Sequence, residues 1–383
     1  MPFQTGFSGL WGWPSPVLMI LIGSTLLYLG IKHKFEPLLL VPIGFGVLLV
    51  NLPLGGLMET IVEGKVYESY IIGGEPAGLI SRVFYYGLIW DIIPCFIFLG
   101  LGALTDFGPL IANPKTLILG AAAQFGVYFV FFAALLLGFD IKEACSIGII
   151  GGADGPTTIY LTSLMAPHLI GVTAVAAYTY MACVPLIQPP VIKLLTTKKE
   201  RAIYMKPQLR PVSKTEKVLF PIIGAIIIIL LVPKSAPLIG MFMFGNLIRE
   251  SGVTERLADT AANAFMNILT ILVGISVGCF MSADNFLRIE SLEVFGLGVI
   301  GFATATAGGV LVAKFMNLFL KEKINPMIGA AGVSAVPMSA RVVQKMGQKA
   351  NPRNFLLMHA MGPNVAGVIG TAAAAGLFLG MIH

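Results

Sequence analysis

The chain has 383 residues, 56% of them hydrophobic and 11% charged, with a formal net charge of +6. Soluble domains carry roughly 25% charged residues, so this composition excludes a water-soluble fold and describes an all-α polytopic membrane protein. The positive charge is concentrated in one loop, which removes the nucleic-acid binder as a reading: no nucleic-acid partner is expected, and the lipid bilayer is.

Apolar stretches able to cross, or half-cross, ~30 Å of hydrocarbon fall at 13–31, 38–57, 92–104, 117–139, 146–163, 169–192 and 218–233. More follow at 236–248, 263–282, 292–313, 325–340 and 354–382, giving roughly ten to twelve membrane segments. The first lacks a basic n-region and a small-residue cleavage site, so it is expected to be a retained span, with Trp11 and Trp13 at the interface. Cys95, Cys145, Cys183 and Cys279 show neither metal-ligand nor redox-pair spacing and read as small packing residues.

Asp154 is the most informative residue. It stands in Gly151-Gly152-Ala153-Asp154-Gly155-Pro156-Thr157, with no other acidic residue between Cys145 and Lys199. A charge in hydrocarbon costs at least several kcal/mol, and glycine and proline breaks persist at membrane depth mainly where they line a cavity. The segment therefore reads as a broken membrane helix around an ion. Turn formation is the bland alternative, since Ala-Asp-Gly-Pro is good turn chemistry.

Residues 193–217 hold eight lysines and arginines against Glu200 and Glu216, which by the positive-inside rule makes this loop cytoplasmic. Lys32, His33 and Lys34 mark a second cytoplasmic edge. The loop divides two halves with the same order of features. A glycine-rich span, a charged hinge, a glycine- and proline-broken run and a proline-interrupted span occur in each, and Asp154 precedes Pro185 by 31 positions as Ser334 precedes Pro363 by 29. Matching interruptions in two halves mark a transport site at the interface of inverted repeats. The expected organisation is N-terminal membrane segments at 1–90, a first repeat at 91–193 broken around Asp154, the basic loop at 194–217, and a second repeat at 218–383 broken around 325–334. The two breaks are expected to meet at mid-membrane.

A hard cation such as sodium takes oxygen ligands, and Asp154, Asn325 and Ser334 form a plausible set with freed main-chain carbonyls. Asp154 alone can also carry a proton. Thr157 and Thr158 can add hydroxyls, although threonine in a helix often bonds its own backbone. Arg341 is either an interfacial anchor or the holder of an anionic group by a forked contact. Tyr178, Tyr180, His359, Asn364 and Asp106 are further polar candidates. These residues describe a cation-coupled transporter, which without a chemical step is a free-standing sodium-coupled carrier of a small anion.

Residues 148–157, 325–341 and 354–367, with Phe35 to Leu40 and Ala176 to Met181, resemble the beta subunit of the sodium-pumping, biotin-dependent decarboxylases, in order and over nearly the whole chain. The resemblance implies a membrane subunit that accepts carboxybiotin, releases carbon dioxide, consumes a proton from the far side and exports sodium. It further implies sodium binding at Asp154, Asn325, Gly329 and Ser334, and functional roles for Tyr180 and for Arg341, the latter toward carboxybiotin. The implied partners are a carboxyltransferase alpha subunit, a biotin carrier protein or domain and a small gamma or delta membrane subunit, in a complex within which this chain is oligomeric in the cell's inner membrane. Biotin must arrive on a partner, because no Ala-Met-Lys-Met run is present and Met205-Lys206 is followed by Pro207. Residues 57–90 are short beside the oxaloacetate-type members, so methylmalonyl-CoA, glutaconyl-CoA and oxaloacetate all stay open as the substrate of the whole complex.

Overall fold

The structure is a computed structural model that describes residues 14–67, 70–71, 73–206 and 210–382. Trp11, Trp13, Pro207 and His383 lie outside the described residues. The first two helices, α1 (Pro14–Lys32) and α2 (Pro37–Val50), form a pair whose turn is set by Glu36 in a left-handed conformation and Pro37 at the start of α2. The apolar run continues to Leu57, yet α2 stops at Val50. Asn51 is the reason: its Nδ2 donates to Val47 O and Met281 O at 2.8 Å, and its Oδ1 accepts from Ala283 N at 2.9 Å. A buried carboxamide thus closes the helix and ties it to a distant turn.

Residues 60–76 carry a small antiparallel sheet, β1 (Thr60–Val62), β2 (Lys65–Tyr67) and β3 (Glu75–Pro76), in the order β2-β1-β3 with Thr60 opposite Tyr67 and Pro76. Helices make up most of the other described residues. Next come α3 (Ile92–Leu104), α4 (Thr116–Ala123), α5 (Phe125–Leu137), α6 (Ile141–Gly148), α7 (Gly155–Met165) and α8 (Ile170–Leu195). The second half holds α9 (Lys214–Leu231), α10 (Ala236–Glu250), α11 (Met266–Cys279), α12 (Ile289–Met316), α13 (Met327–Ala330), α14 (Met338–Ala350) and α15 (Leu357–Met381).

Among the described residues six helices are long and apolar enough to cross a membrane, and a seventh span is available if Leu79–Ile89 and α3, bent by 64°, count as one. The other apolar stretches are shorter helices, the 18-residue α9 with Lys214, Glu216 and Lys217 in its first turn, or the two broken segments. The distribution of polarity is that of a protein solvated by lipid. Ile222, Ile223, Ile226, Ile227, Leu230 and Leu231 of α9 are exposed, while Asp154, Thr157, Thr158, Gln188, Asn325, Ser334 and Asn364 are buried. In water that arrangement would forfeit the hydrophobic contribution of each leucine and isoleucine, and in a bilayer it does not.

Glycines let the spans approach closely. A Cβ on Gly102 of α3 would strike the carbonyl of Phe242 on α10, and one on Gly278 of α11 would strike the Ile43 carbonyl on α2. At the end carrying the basic loop, Lys217 meets Asp106 at 3.1 Å and Lys314 donates to Leu195 O at 3.0 Å. The opposite end carries Asp140, Glu143 and His168, with His168 and Glu143 2.9 Å apart.

Candidate functional site

The first break is built by residue type in sequence order. A capping box opens α6, with Glu143 N donating to Asp140 Oδ1 at 2.7 Å and Asp140 N to Glu143 Oε2 at 3.0 Å. The chain then tightens into a 3-10 turn at Ile149–Gly152, and Ala153 takes a left-handed φ of 53°, which ends it. Asp154 is the N-cap of α7 and its Oδ1 accepts from Thr157 N at 3.1 Å. Pro156 sits in the first turn, where no N–H is needed. The unsatisfied amides of the α7 N-terminus favour negative charge at Asp154 and contribute about 0.3–1 kcal/mol.

The second break meets it there. Between α13 and α14 the chain is irregular, and Ser334 N donates to Gly152 O at 3.1 Å while Ser334 Oγ donates to Asp154 Oδ2 at 3.2 Å. Asp154 and Ser334 are 3% and 5% exposed, so the pair is sealed inside the helical packing. Gly329 is pressed face to face on Gly309 of α12, where neither has room for a Cβ. Asn325 is occupied elsewhere: its Nδ2 donates to Arg201 O at 2.8 Å and Ile203 O at 2.9 Å, and its Oδ1 accepts from Met327 N at 3.1 Å. Its carboxamide ties the basic loop to the start of α13.

Oxygen is the other product of this geometry. Thr157 Oγ1, Tyr178 Oη, Gln188 Oε1 and Asn364 Oδ1 are buried with no hydrogen-bond partner among the described residues. Each buried polar atom left this way costs about 1–3 kcal/mol. The Tyr178 ring lies against Gly155, and the Asn364 amide donates to Ala331 O at 2.9 Å and Val333 O at 2.7 Å, so these oxygens gather around both breaks. Gln188 donates to Ala330 O at 2.8 Å. Hard oxygen donors beside a carboxylate suit sodium.

Tyr180 faces another way. Its Oη donates to the Phe295 carbonyl and its ring packs on Gly298, both on α12. Arg341 is exposed on α14 and lines an open cavity of 760 Å³ with His33, Lys34, Lys193, Lys345, Lys349 and the single acid Glu36. Burial holds the Glu36 carboxyl above its ordinary range against the pull of Arg341. Arg341, Lys345 and Lys349 recur every fourth residue and make one basic stripe. The floor of the cavity includes Met338 and Val342, which pack in one cluster with Ala153 and Val333, the residues preceding Asp154 and Ser334.

Residues 15–382 match the model of the Na+-transporting oxaloacetate decarboxylase beta subunit family. The chain belongs to this family. It is 56% identical to the methylmalonyl-CoA decarboxylase subunit beta of Propionigenium modestum over 389 residues, which covers 99% of this chain and 97% of that protein. The glutaconyl-CoA decarboxylase subunit beta of Acidaminococcus fermentans is 56% identical over 370 residues, 97% of this chain and 94% of that one. The oxaloacetate decarboxylase beta chain of Klebsiella pneumoniae is 51% identical over 407 residues, 94% of each.

This beta subunit is thus a multi-pass membrane subunit of a sodium-pumping decarboxylase, as the resemblance of its broken segments implies. Three polar residues of the interior carried no weight in the sequence. Gln188 sits between Pro185 and Pro189 in an apolar helix, and an uncharged amide among prolines was the available signal. Asp91 and Ser163, 2.5 Å apart, stand 72 positions apart in the chain, and no local pattern joins them.

Proposed function

We propose that this chain decarboxylates carboxybiotin brought by a partner subunit, consumes a proton and couples both to sodium export. The observation that carries the reading is the Asp154 Oδ2 to Ser334 Oγ contact of 3.2 Å, made where two broken segments meet amid unpartnered oxygens. In the chemistry carboxybiotin supplies, the bond from ring nitrogen to the carboxyl carbon breaks, carbon dioxide leaves and the nitrogen takes the electron pair and a proton.

Asp154 holds sodium as a carboxylate, with Ser334 and oxygens from Thr157 and Asn364 as neutral ligands, and holds a proton in the other state. Sodium binding displaces the proton toward the basic end, where it assists the cleavage. Arg341 receives the carboxylate in the basic cavity with a forked contact. Tyr180 relays a proton only after releasing Phe295 O, so Asp154 is the donor this reading prefers. Gly329 and Asn325 set the second break: Gly329 through its contact with α12, Asn325 by fastening the loop above it. The two repeats at 91–193 and 218–383 are inverted, and the basic loop at 194–217 faces the cytoplasm by the positive-inside rule, in the inner membrane. A carboxyltransferase alpha subunit, a biotin carrier and a small gamma or delta subunit complete the complex, in which this chain is oligomeric. Identities of 56–57% to the acyl-CoA decarboxylase subunits, against 51% to the Klebsiella oxaloacetate chain, support an acyl-CoA substrate for the whole.

The test is sodium-stimulated decarboxylation of carrier-bound carboxybiotin by the purified complex in proteoliposomes, expected to stop when avidin is added. Sodium uptake by the isolated chain with an organic anion, indifferent to avidin, would replace this reading with a carrier. Ser334→Ala removes one neutral ligand worth ~1 kcal/mol and is expected to raise the sodium concentration for half-maximal rate about fivefold. An unchanged sodium curve would remove Ser334 from the ligand set. Arg341→Gln is expected to raise the half-saturating carboxybiotin concentration by about tenfold or more and leave the sodium curve in place. A shifted sodium curve with normal carboxybiotin use would count against Arg341 as the carboxylate holder.

A further inference from the structure

A second carboxylate stands at the other end of the half-helix that Asp154 begins. Asp91 lies in the 64° break before α3 with a left-handed φ of 58°, and its Oδ1 is 2.5 Å from Ser163 Oγ near the end of α7. Ser163 Oγ is also 2.8 Å from Tyr160 O. A serine hydroxyl has one proton to give, and here two acceptors approach it. A carboxylate at Asp91 takes the serine proton, whereas a protonated Asp91 donates its O–H to Ser163 Oγ and the serine proton goes to Tyr160 O, so the pair can hold either state of the acid.

The surroundings agree with a neutral acid. Among the described residues no ion pair includes Asp91, and the titratable groups that face it are Cys95 on α3 and Tyr160 on α7. Trp90 and Tyr86 beside it are exposed, as suits the level of an interface, so a proton from the aqueous side has a short way to travel. Thr157, Tyr160 and Ser163 recur every third residue on one side of α7. Thr157 is bonded to Asp154 through its amide, and its own Oγ1 is fully buried without a partner. The 11 residues of α7 span roughly 16 Å, about half of the ~30 Å hydrocarbon core, so one carboxyl sits near the midplane and the other near the far face.

We propose that Asp91 is the outer proton station of this pump: it takes a proton from the far side and passes it along the Thr157, Tyr160 and Ser163 side of α7 toward Asp154. Only a proton moves; Asp91 is left as a carboxylate and is reprotonated from the bulk. The proposal rests on Asp154 as the site that exchanges sodium for a proton.

The experiment uses the whole complex in proteoliposomes, with a pH indicator confined to the compartment that the far face contacts. Asp91→Asn keeps the size and cannot carry a proton. It is expected to slow decarboxylation and proton disappearance from that compartment together, by about tenfold or more, with the sodium half-saturation unchanged and with Asp91→Glu restoring both. Wild-type rate and proton uptake in assembled Asp91→Asn would overturn the proposal. If that variant fails to assemble, Ser163→Ala decides: slowed proton uptake supports the route and unchanged uptake overturns it. Turnover persisting in Asp154→Asn would instead bring down the reading beneath it, whereas an inactive Asp154→Asn beside a normal Asp91→Asn defeats this inference alone.

Discussion

Asp154→Asn is expected to abolish sodium-dependent decarboxylation, by about three orders of magnitude, in a complex that still assembles. The substitution is nearly isosteric. Asparagine is as good an N-cap as aspartate, so the bond from Thr157 N survives and α7 keeps its start. What disappears is the carboxylate, and with it the proton site and the ionised sodium ligand proposed for it. An ionised ligand in a sealed, low-dielectric pocket contributes more than a neutral one, and its loss at about 4 kcal/mol corresponds to the expected factor. Neutral Ser334 and the oxygens of Thr157 and Asn364 cannot compensate, because none of them takes up or releases a proton near neutral pH. Co-purification of the subunits shows assembly, and the sodium dependence of the rate shows the effect. Wild-type turnover in the variant would take Asp154 out of the mechanism.

The reach of the sequence followed the physics of each residue. Asp154 was legible because a lone carboxylate in an apolar run is expensive and because glycine and proline beside it announce a broken helix. Ser334 was legible through its matching place in the second half, and the structure joins the two at 3.2 Å. Asn325 was expected among the sodium ligands, whereas its amide is bonded to Arg201 and Ile203 in a loop more than a hundred residues away, and no local pattern carries that. The end of α2 at Asn51 and the sheet at 60–76 were hidden for similar reasons. One depends on Met281 and Ala283, and the other has strands of two or three residues, too short to alternate visibly.

Gly329→Ala carries the second large effect, because α12 supports both breaks at once. Gly301 of α12 lies on Gly151 and Gly126 beside the first break, and Gly309, two helical turns further along the same face, lies on Gly329 of the second. A Cβ on Gly329 would meet the carbonyl carbon and oxygen of Gly309, which are backbone atoms and cannot rotate away as a side chain would. The second segment must lift off α12 while the first stays seated. That motion separates Ser334 from Asp154, whose contact at 3.2 Å has little slack. Overpacking of this kind costs about 1–3 kcal/mol. The expected result is a lower melting temperature in detergent and a sodium half-saturation raised by about tenfold. Sodium that binds the native state stabilises it by mass action, so wild type should melt higher as sodium is added and Gly329→Ala should respond much less. An unchanged melting curve and an unchanged sodium response together would mean that the contact between Gly309 and Gly329 does not hold the ion site in register. The site would then have to be held by Ser334 N on Gly152 O and by the Asn364 amide alone.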